Sequence, residues 1–119
     1  MNLEALRAYL LQKKATTEEQ PFGPQALVFK VVGKMYALIA WEEQPLRLTL
    51  KCDPDLAVSL RHRYPAVQPG YYMNKAHWNT ISLDGSILET ELLGLIDHSY
   101  ELVVASLKKA DRIKLQESV

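Results

Sequence analysis

The residues most suited to chemistry are concentrated between positions 71 and 79, where the chain reads Tyr-Tyr-Met-Asn-Lys-Ala-His-Trp-Asn. Aromatic rings can stack on nucleobases, and cations and amides can bind phosphate oxygens, so this composition indicates nucleic-acid binding. The structural alternative is that Trp78 and one tyrosine pack on a sheet, while Lys75 and His77 lie at its edge. Composition alone leaves both interpretations open.

Cys52 and the three histidines are the remaining candidates for a catalytic or metal site. They show no His-x-x-x-His or Cys-x-x-Cys spacing, and the chain has no phosphate-binding glycine loop or nucleophile elbow. Cys52 falls between a predicted strand and a helix N-cap, where we expect a small buried thiol. An enzyme acting through His77 or Cys52 would need a pocket that brings an acid within reach of His77. We therefore expect a protein that is not an enzyme and has no metal or cofactor.

The charge balance excludes binding to nucleic acid by bulk charge, since 14 Lys and Arg residues offset 14 Asp and Glu residues. It does not exclude a local patch. The segment 61–78 contains Arg61, Arg63 and Lys75 and no acidic residue. Arg47 and Lys51 alternate with leucines and are expected on the outward face of a strand. If these groups converge, they predict weak and strongly salt-dependent binding.

The expected compartment is the cytoplasm. A single cysteine excludes an intramolecular disulfide and favours a reducing environment. The first residues do not resemble a signal peptide, and no apolar stretch approaches the roughly 20 residues of a membrane helix. The length predicts one domain over residues 1–119, with a basic C-terminal tail from about residue 108.

Hydrophobic periodicity and turn signals predict the elements that position these residues. The expected elements are a helix over 2–15, a loop over 16–25, strands over 26–32, 35–40 and 46–51, a helix from 54 to 64, an irregular segment over 65–77 that allows one short strand, a strand over 78–83, and a helix over about 88–107. Gly33 and Lys34 predict a type II′ hairpin turn, and Ser86 with Glu89 predicts a capping box. This order favours a two-layer α+β domain in which helices cover one face of an antiparallel sheet.

Several of these segments resemble the MmcQ/YjbR family of small bacterial proteins. The resemblance is carried by Met-Asn-Lys-Ala-His-Trp at 73–78, followed by the strand and turn at 80–86. The segments 48–56 and 95–100 support it, and it extends from the first helix to about Leu107. It implies an α-β(3)-α-β(2)-α fold similar to the type III secretion chaperone-like folds, and a proposed "double wing" role in DNA binding. It singles out Asn74, Lys75, His77 and Trp78, and no catalytic residue.

The combined expectation is a non-enzymatic module that binds DNA weakly through a local basic and aromatic patch. The residues assigned to this patch are Arg47, Lys51, Arg61, Arg63, Asn74, Lys75, His77 and Trp78. The alternative is a protein-interaction or adaptor domain, a monomer or weak homodimer with an exposed apolar patch. We expect Trp78 to be largely buried, so that Trp78→Ala costs about 3–5 kcal/mol.

Overall fold

The computed structural model describes residues 1–70 and 73–117, in which helices and strands alternate as an α+β chain. In chain order the elements are α1 (Leu3–Leu11), β1 (Thr16–Glu19), β2 (Ala26–Val31), β3 (Lys34–Ala40), β4 (Arg47–Lys51), α2 (Pro54–Arg63), β5 (Val67–Pro69), β6 (Trp78–Ser82), α3 (Glu89–Ala105) and α4 (Lys109–Glu117). Within these ranges, no helix is both long and apolar enough to cross a membrane.

The strands form one antiparallel sheet in the order β1-β2-β3-β4-β6-β5, so the two-layer α+β prediction is confirmed. The core lies between the sheet and the helices, and its members are buried apolar side chains from both layers. The predicted helix over about 88–107 is confirmed as α3, and one apolar stripe of it faces the sheet: Leu92, Ile96 and Val103 are buried, and Tyr100 packs edge to face on Tyr36. Burial of this stripe, more than helix propensity, holds α3 on the sheet.

The strand β1 corrects the expectation of a loop over residues 16–25. Its four residues pair antiparallel with β2, from Thr16 opposite Val31 to Glu19 opposite Val28. The strand is short, polar and at the sheet edge, so it has no apolar alternation to reveal it. An ion pair of 2.7 Å between Arg7 and Glu18 connects it to α1. Its formation depends on these tertiary partners.

The hairpin between β2 and β3 turns one residue earlier than predicted. Val31 pairs with Lys34, so Val32 and Gly33 form the two-residue loop. Their φ angles are 46° and 81°, and two positive φ angles are the requirement of a type I′ turn. A β-branched residue is unfavourable in this backbone region, which is why Val32 is a poor candidate by sequence.

The C-terminal third departs from the prediction at two further places. The Ser86–Glu89 capping box does not form, because Ser86 donates its hydroxyl to Asp84 at 2.6 Å and α3 begins one residue after Leu88. The segment expected to be a basic tail forms the helix α4. Leu115 of α4 is buried, and the Lys14 ammonium donates to the Gln116 carbonyl at 3.3 Å. The α4 sequence is only weakly apolar, so these contacts with the rest of the domain stabilise the helix.

Candidate nucleic-acid interface

The site is built on the sheet face that points away from the core. Side chains alternate between the two faces of a strand. Since Leu48, Leu50 and Ile81 belong to the core, the intervening residues of β4 and β6 face the other way. We call this second surface the open face. On β4 and β6 its members are Arg47, Thr49, Lys51, Trp78, Thr80 and Ser82.

Antiparallel pairing of β4 with β6 places Lys51 directly opposite Trp78. Arg47 lies four residues from Lys51 on the same strand, about 13 Å away at the usual strand rise. The side chains of Arg47 and Lys51 make no hydrogen bond or ion pair with another described residue. Arg47 and Lys51 therefore lie on the outward face, as the sequence alternation predicts, and Trp78 shares that face with them.

The loop over residues 73–77 adjoins the start of β6. Asn74 shapes it, because its side-chain oxygen accepts from the Ala76 amide at 3.0 Å and its carbonyl accepts from the His77 amide at 3.0 Å. The His77 carbonyl in turn accepts from the Cys52 amide at 2.7 Å. Lys75 and His77 have exposed side chains. In this loop Asn74 positions backbone, while Lys75 and His77 are available to a ligand.

Arg61 occupies a different place from the open face. From α2 its Nε donates to Oδ1 of Asn79 at 2.6 Å, and its terminal nitrogen donates to the carbonyls of Lys75 and Trp78. Asn79 is buried and points to the helix layer, where its Nδ2 donates to the Ala57 carbonyl at 3.3 Å. Arg61 thus supports the 73–77 loop from behind.

Arg63 is also directed away from the open face. Its guanidinium lies over the Tyr64 ring at 5.0 Å and 3.7 Å from the Glu91 carboxylate. Tyr64 donates its hydroxyl to the same carboxylate at 2.9 Å, and this hydrogen bond raises the pKa of Tyr64. The Arg63 side chain retains 58% of its exposure. The structure therefore does not bring Arg61 and Arg63 together with Arg47 and Lys51.

Trp78 is partly buried, and it lies outside the group of apolar side chains that pack against the core. A Cβ placed on Gly70 would come within 2.8 Å of the Trp78 Cβ, so β5 and β6 approach closely there. The sequence expectation of a largely buried tryptophan holds only in part. Trp78 lies opposite Lys51 on the open face and keeps part of its surface exposed.

Cys52, one of the two residues considered for catalysis, is buried at the end of β4. Burial, followed by the nearby Asp53 carboxylate, raises the pKa of Cys52 to about 11. Its thiol is therefore protonated at neutral pH, as expected of a buried residue at a strand end. Outside the two short gaps at 71–72 and 118–119, no group of three or more His, Cys, Asp or Glu side chains could hold a metal.

Sequence reasoning missed the centre of the open face. Thr49 and Thr80 face each other across β4 and β6, and their hydroxyls are joined at 2.8 Å. They line a concavity together with Leu38, which pairs with Thr49 on the same face, and with Phe22 and Met73 from neighbouring loops. The alternation in β4 assigns Thr49 to the correct face. Nothing local in the sequence indicates that the loops carrying Phe22 and Met73 close around it.

The fold and this surface define the protein as a two-layer α+β domain with helices on one face of its sheet and an open second face. The sequence profile of the YjbR family matches residues 11–102, and the chain belongs to this family. The family resemblance inferred from the 73–78 motif is therefore confirmed.

The chain is similar to two Escherichia coli proteins in sequence and to two solved structures in fold. Over 96 residues the chain is 38% identical to Escherichia coli O157:H7 YbdF, covering 81% of this chain and 79% of YbdF. It is 31% identical over 112 residues to YjbR of E. coli K12, covering 94% and 95% of the two chains. The crystal structure of Deinococcus radiodurans DR2400 matches with a TM-score of 0.91 and 38% identity, over 97% of this chain and 88% of that one. A Pseudomonas syringae protein matches with a TM-score of 0.74 and 31% identity, over 86% and 98%.

Proposed function

We propose that this YjbR-family protein is a non-enzymatic module that binds DNA weakly through the open face and the adjoining 73–77 loop. The observation that carries the proposal is that Arg47 and Lys51 share the open face with Trp78, while Lys75 lies in the loop that leads into β6. The side chains of these three cations make no hydrogen bond or ion pair with another described residue. Cations without acidic partners can replace phosphate counterions, and an accessible indole can stack on a base.

The proposed interface is smaller than the sequence patch, because Arg61 and Arg63 make hydrogen bonds elsewhere. His77 is its one further candidate contact, since its side chain is exposed in the same loop. Three phosphate contacts predict a salt slope of about −2.7. Affinity should therefore fall about 40-fold between 50 and 200 mM salt. We place this activity in the cytoplasm, where a buried free thiol such as Cys52 is expected.

The alternative function is a protein-interaction module that does not bind nucleic acid. The observation in its favour is Phe22, which is 68% exposed beside the open face. The other exposed large apolar residues lie on separate parts of the described chain, among them Leu11 on α1, Val58 on α2 and Ile113 on α4. Because this distribution does not indicate one apolar patch, DNA binding is the proposal we favour.

The test is fluorescence anisotropy of labelled DNA, as a duplex and as a single strand, over a series of salt concentrations. The variant Arg47→Ala/Lys51→Ala/Lys75→Ala should abolish binding, and each single change should reduce the salt slope by about 0.9. The matched control is Lys108→Ala/Lys109→Ala/Arg112→Ala, which removes the same charge from the region of α4. Equal losses in the two triple variants, or wild-type affinity weaker than about 1 mM at 50 mM salt, would contradict the proposal.

A further inference from the structure

The open face contains a pocket of about 550 Å³ in addition to its cationic rim. Its floor includes Leu38 of β3, Thr49 of β4 and Thr80 of β6. Phe22, from the loop between β1 and β2, and Met73, from the loop before β6, also line it. Volumes of about 300–1,000 Å³ are typical of sites for small molecules, and larger than the packing defects of a domain.

Most of the pocket surface is apolar. Ala26, Leu38 and Ala40 line it from β2 and β3, and the Phe22 ring stands 68% exposed at its margin. Apolar walls combined with a few directed polar groups are the usual composition of a ligand site. The pocket therefore requires an occupant with an apolar body.

Two side chains of opposite charge also line the pocket, Arg47 and Glu43. Neither side chain makes a hydrogen bond or ion pair with the other or with another described residue. A purely anionic ligand would be attracted by Arg47 and repelled by Glu43. A purely cationic ligand would be attracted by Glu43 and repelled by Arg47. A ligand carrying one charge of each sign complements both residues.

The two threonines add a directed donor at the floor. Thr49 and Thr80 are only 6% and 9% exposed, and the hydrogen bond of 2.8 Å between them uses one of their two hydroxyl protons. The second proton has no acceptor among the described residues. A carboxylate oxygen held by Arg47 would supply that acceptor from above the floor.

We propose that this pocket binds a small zwitterion with an apolar body, of the class of the hydrophobic α-amino acids. The carboxylate lies against Arg47 and the free threonine hydroxyl, the ammonium group against Glu43, and the side chain over Leu38 and Ala40. The pocket does not include Lys51 or Lys75, two of the proposed DNA contacts. Arg47 belongs both to the pocket and to the proposed DNA interface. A titration without DNA tests the pocket independently of the proposed function.

The test uses L-phenylalanine as the probe and follows amide chemical shifts of the ¹⁵N-labelled full chain. We expect saturable shifts centred on residues 38–40, 49 and 80, with a dissociation constant of about 1 mM or below. Two analogues separate the charges: 3-phenylpropionate lacks the ammonium group, and phenethylamine lacks the carboxylate. Each should bind about tenfold or more weakly than the amino acid, since each leaves one charged residue unpaired.

Variants assign the two charges to their residues. Arg47→Met should weaken the binding of L-phenylalanine by about tenfold and change the binding of phenethylamine little. Glu43→Gln should also weaken the binding of L-phenylalanine by about tenfold, and it should change the binding of 3-phenylpropionate little. Lys51→Met is the matched control, because Lys51 shares the strand and face of Arg47 but does not line the pocket. The double variant Thr49→Val/Thr80→Val should weaken the amino acid and leave no buried hydroxyl unpaired.

Three results would overturn the proposal. These are absence of shifts up to roughly 10 mM probe, shifts centred away from the open face, and equal binding of the amino acid and its two analogues. The comparison of analogues needs only the wild-type protein, so it remains decisive if a variant fails to fold.

Discussion

The Nε atom of Arg61 donates a hydrogen bond of 2.6 Å to the side-chain oxygen of Asn79, which connects α2 to β6 beneath the 73–77 loop. Asn79 is only 2% exposed, and its amide group donates to the Ala57 carbonyl on the same helix. Arg61, which the sequence analysis assigns to DNA contact, therefore has a structural role. It positions the backbone of the loop that carries Lys75 and His77.

Arg61→Ala is expected to lower the free energy of unfolding by about 2–3 kcal/mol, because it leaves the buried Asn79 and two carbonyls without their charged donor. Arg61→Lys should recover little, since an ammonium group cannot reproduce the forked geometry. Urea denaturation measures both, with His62→Ala, an exposed change on the same helix, as the control. If Arg61→Ala left the stability unchanged but abolished DNA binding, the structural role of Arg61 would be contradicted and a direct contact with DNA would be supported.

Ser99→Ala is expected to destabilise the fold by about 2–3 kcal/mol although it removes one oxygen atom. Ser99 is fully buried; its hydroxyl donates to the Tyr36 carbonyl at 2.6 Å and accepts from the Lys51 amide at 2.9 Å. Both backbone groups would lose their partner. Ser106→Ala is the control, because the hydroxyl of this residue, which directly follows α3, donates to the Val103 carbonyl three residues earlier. Thermal and urea unfolding should separate the two variants clearly.

Trp78→Ala is expected to cost about 1–2 kcal/mol, below the 3–5 kcal/mol of a tryptophan in a closed core. The reason is that Trp78 lies on the open face, where its removal leaves a surface depression filled by water. Ile81→Ala, in the same strand but only 2% exposed, should cost about 2–5 kcal/mol. If Trp78→Ala proves the more damaging change in urea unfolding, the ring belongs to the core.

Asp97 is expected to contribute to the acid dependence of stability. Although burial opposes its ionisation, hydrogen bonds from Lys13 at 2.5 Å and Tyr9 at 2.6 Å hold the pKa of Asp97 below its ordinary value of 3.8. A lowered folded-state pKa means that this stabilisation is present above pH 3.8 and is lost as the pH falls below it. The unfolding free energy of Asp97→Asn should therefore decline less steeply over that acid range.

The control for Asp97 is Glu101→Gln, an exposed acid four residues further along α3. Unfolding free energies from urea titrations between about pH 2.5 and pH 6 compare the three proteins. Identical slopes for wild type and Asp97→Asn would contradict the assignment.

Cys52 is expected to react slowly with a disulfide reagent such as DTNB in the folded protein. Its side chain is 4% exposed, and burial raises its pKa to about 11, so both access and thiolate fraction are low at pH 8. In urea the reaction should become fast, near the rate of a free thiol. Rapid labelling of the native protein would mean that the strand end opens readily.

Periodic patterns in the sequence determined the larger elements of this protein. The leucine alternation of 46–51 and the apolar repeat of α3 specify buried faces by themselves, because each needs only one hydrophobic surface to cover. The Asp-Pro start of α2 is local as well: Asp53 accepts from the Leu56 amide at 3.3 Å. The same alternation places Arg47, Thr49 and Lys51 together on the outward face.

Tertiary structure decided what has no local signal. Strand β1 and helix α4 form on partners distant in sequence, and Val32 adopts a positive φ because strand register demands it. Arg61 and Lys51 are both cations near Trp78, yet Arg61 lies on the helix side of the sheet and Lys51 on the open face. Which side of a sheet a side chain reaches depends on how the layers pack. For this reason the sequence identified the cations and aromatics of the candidate site, and only the fold separated the residues that support the loop from those that lie on the open face.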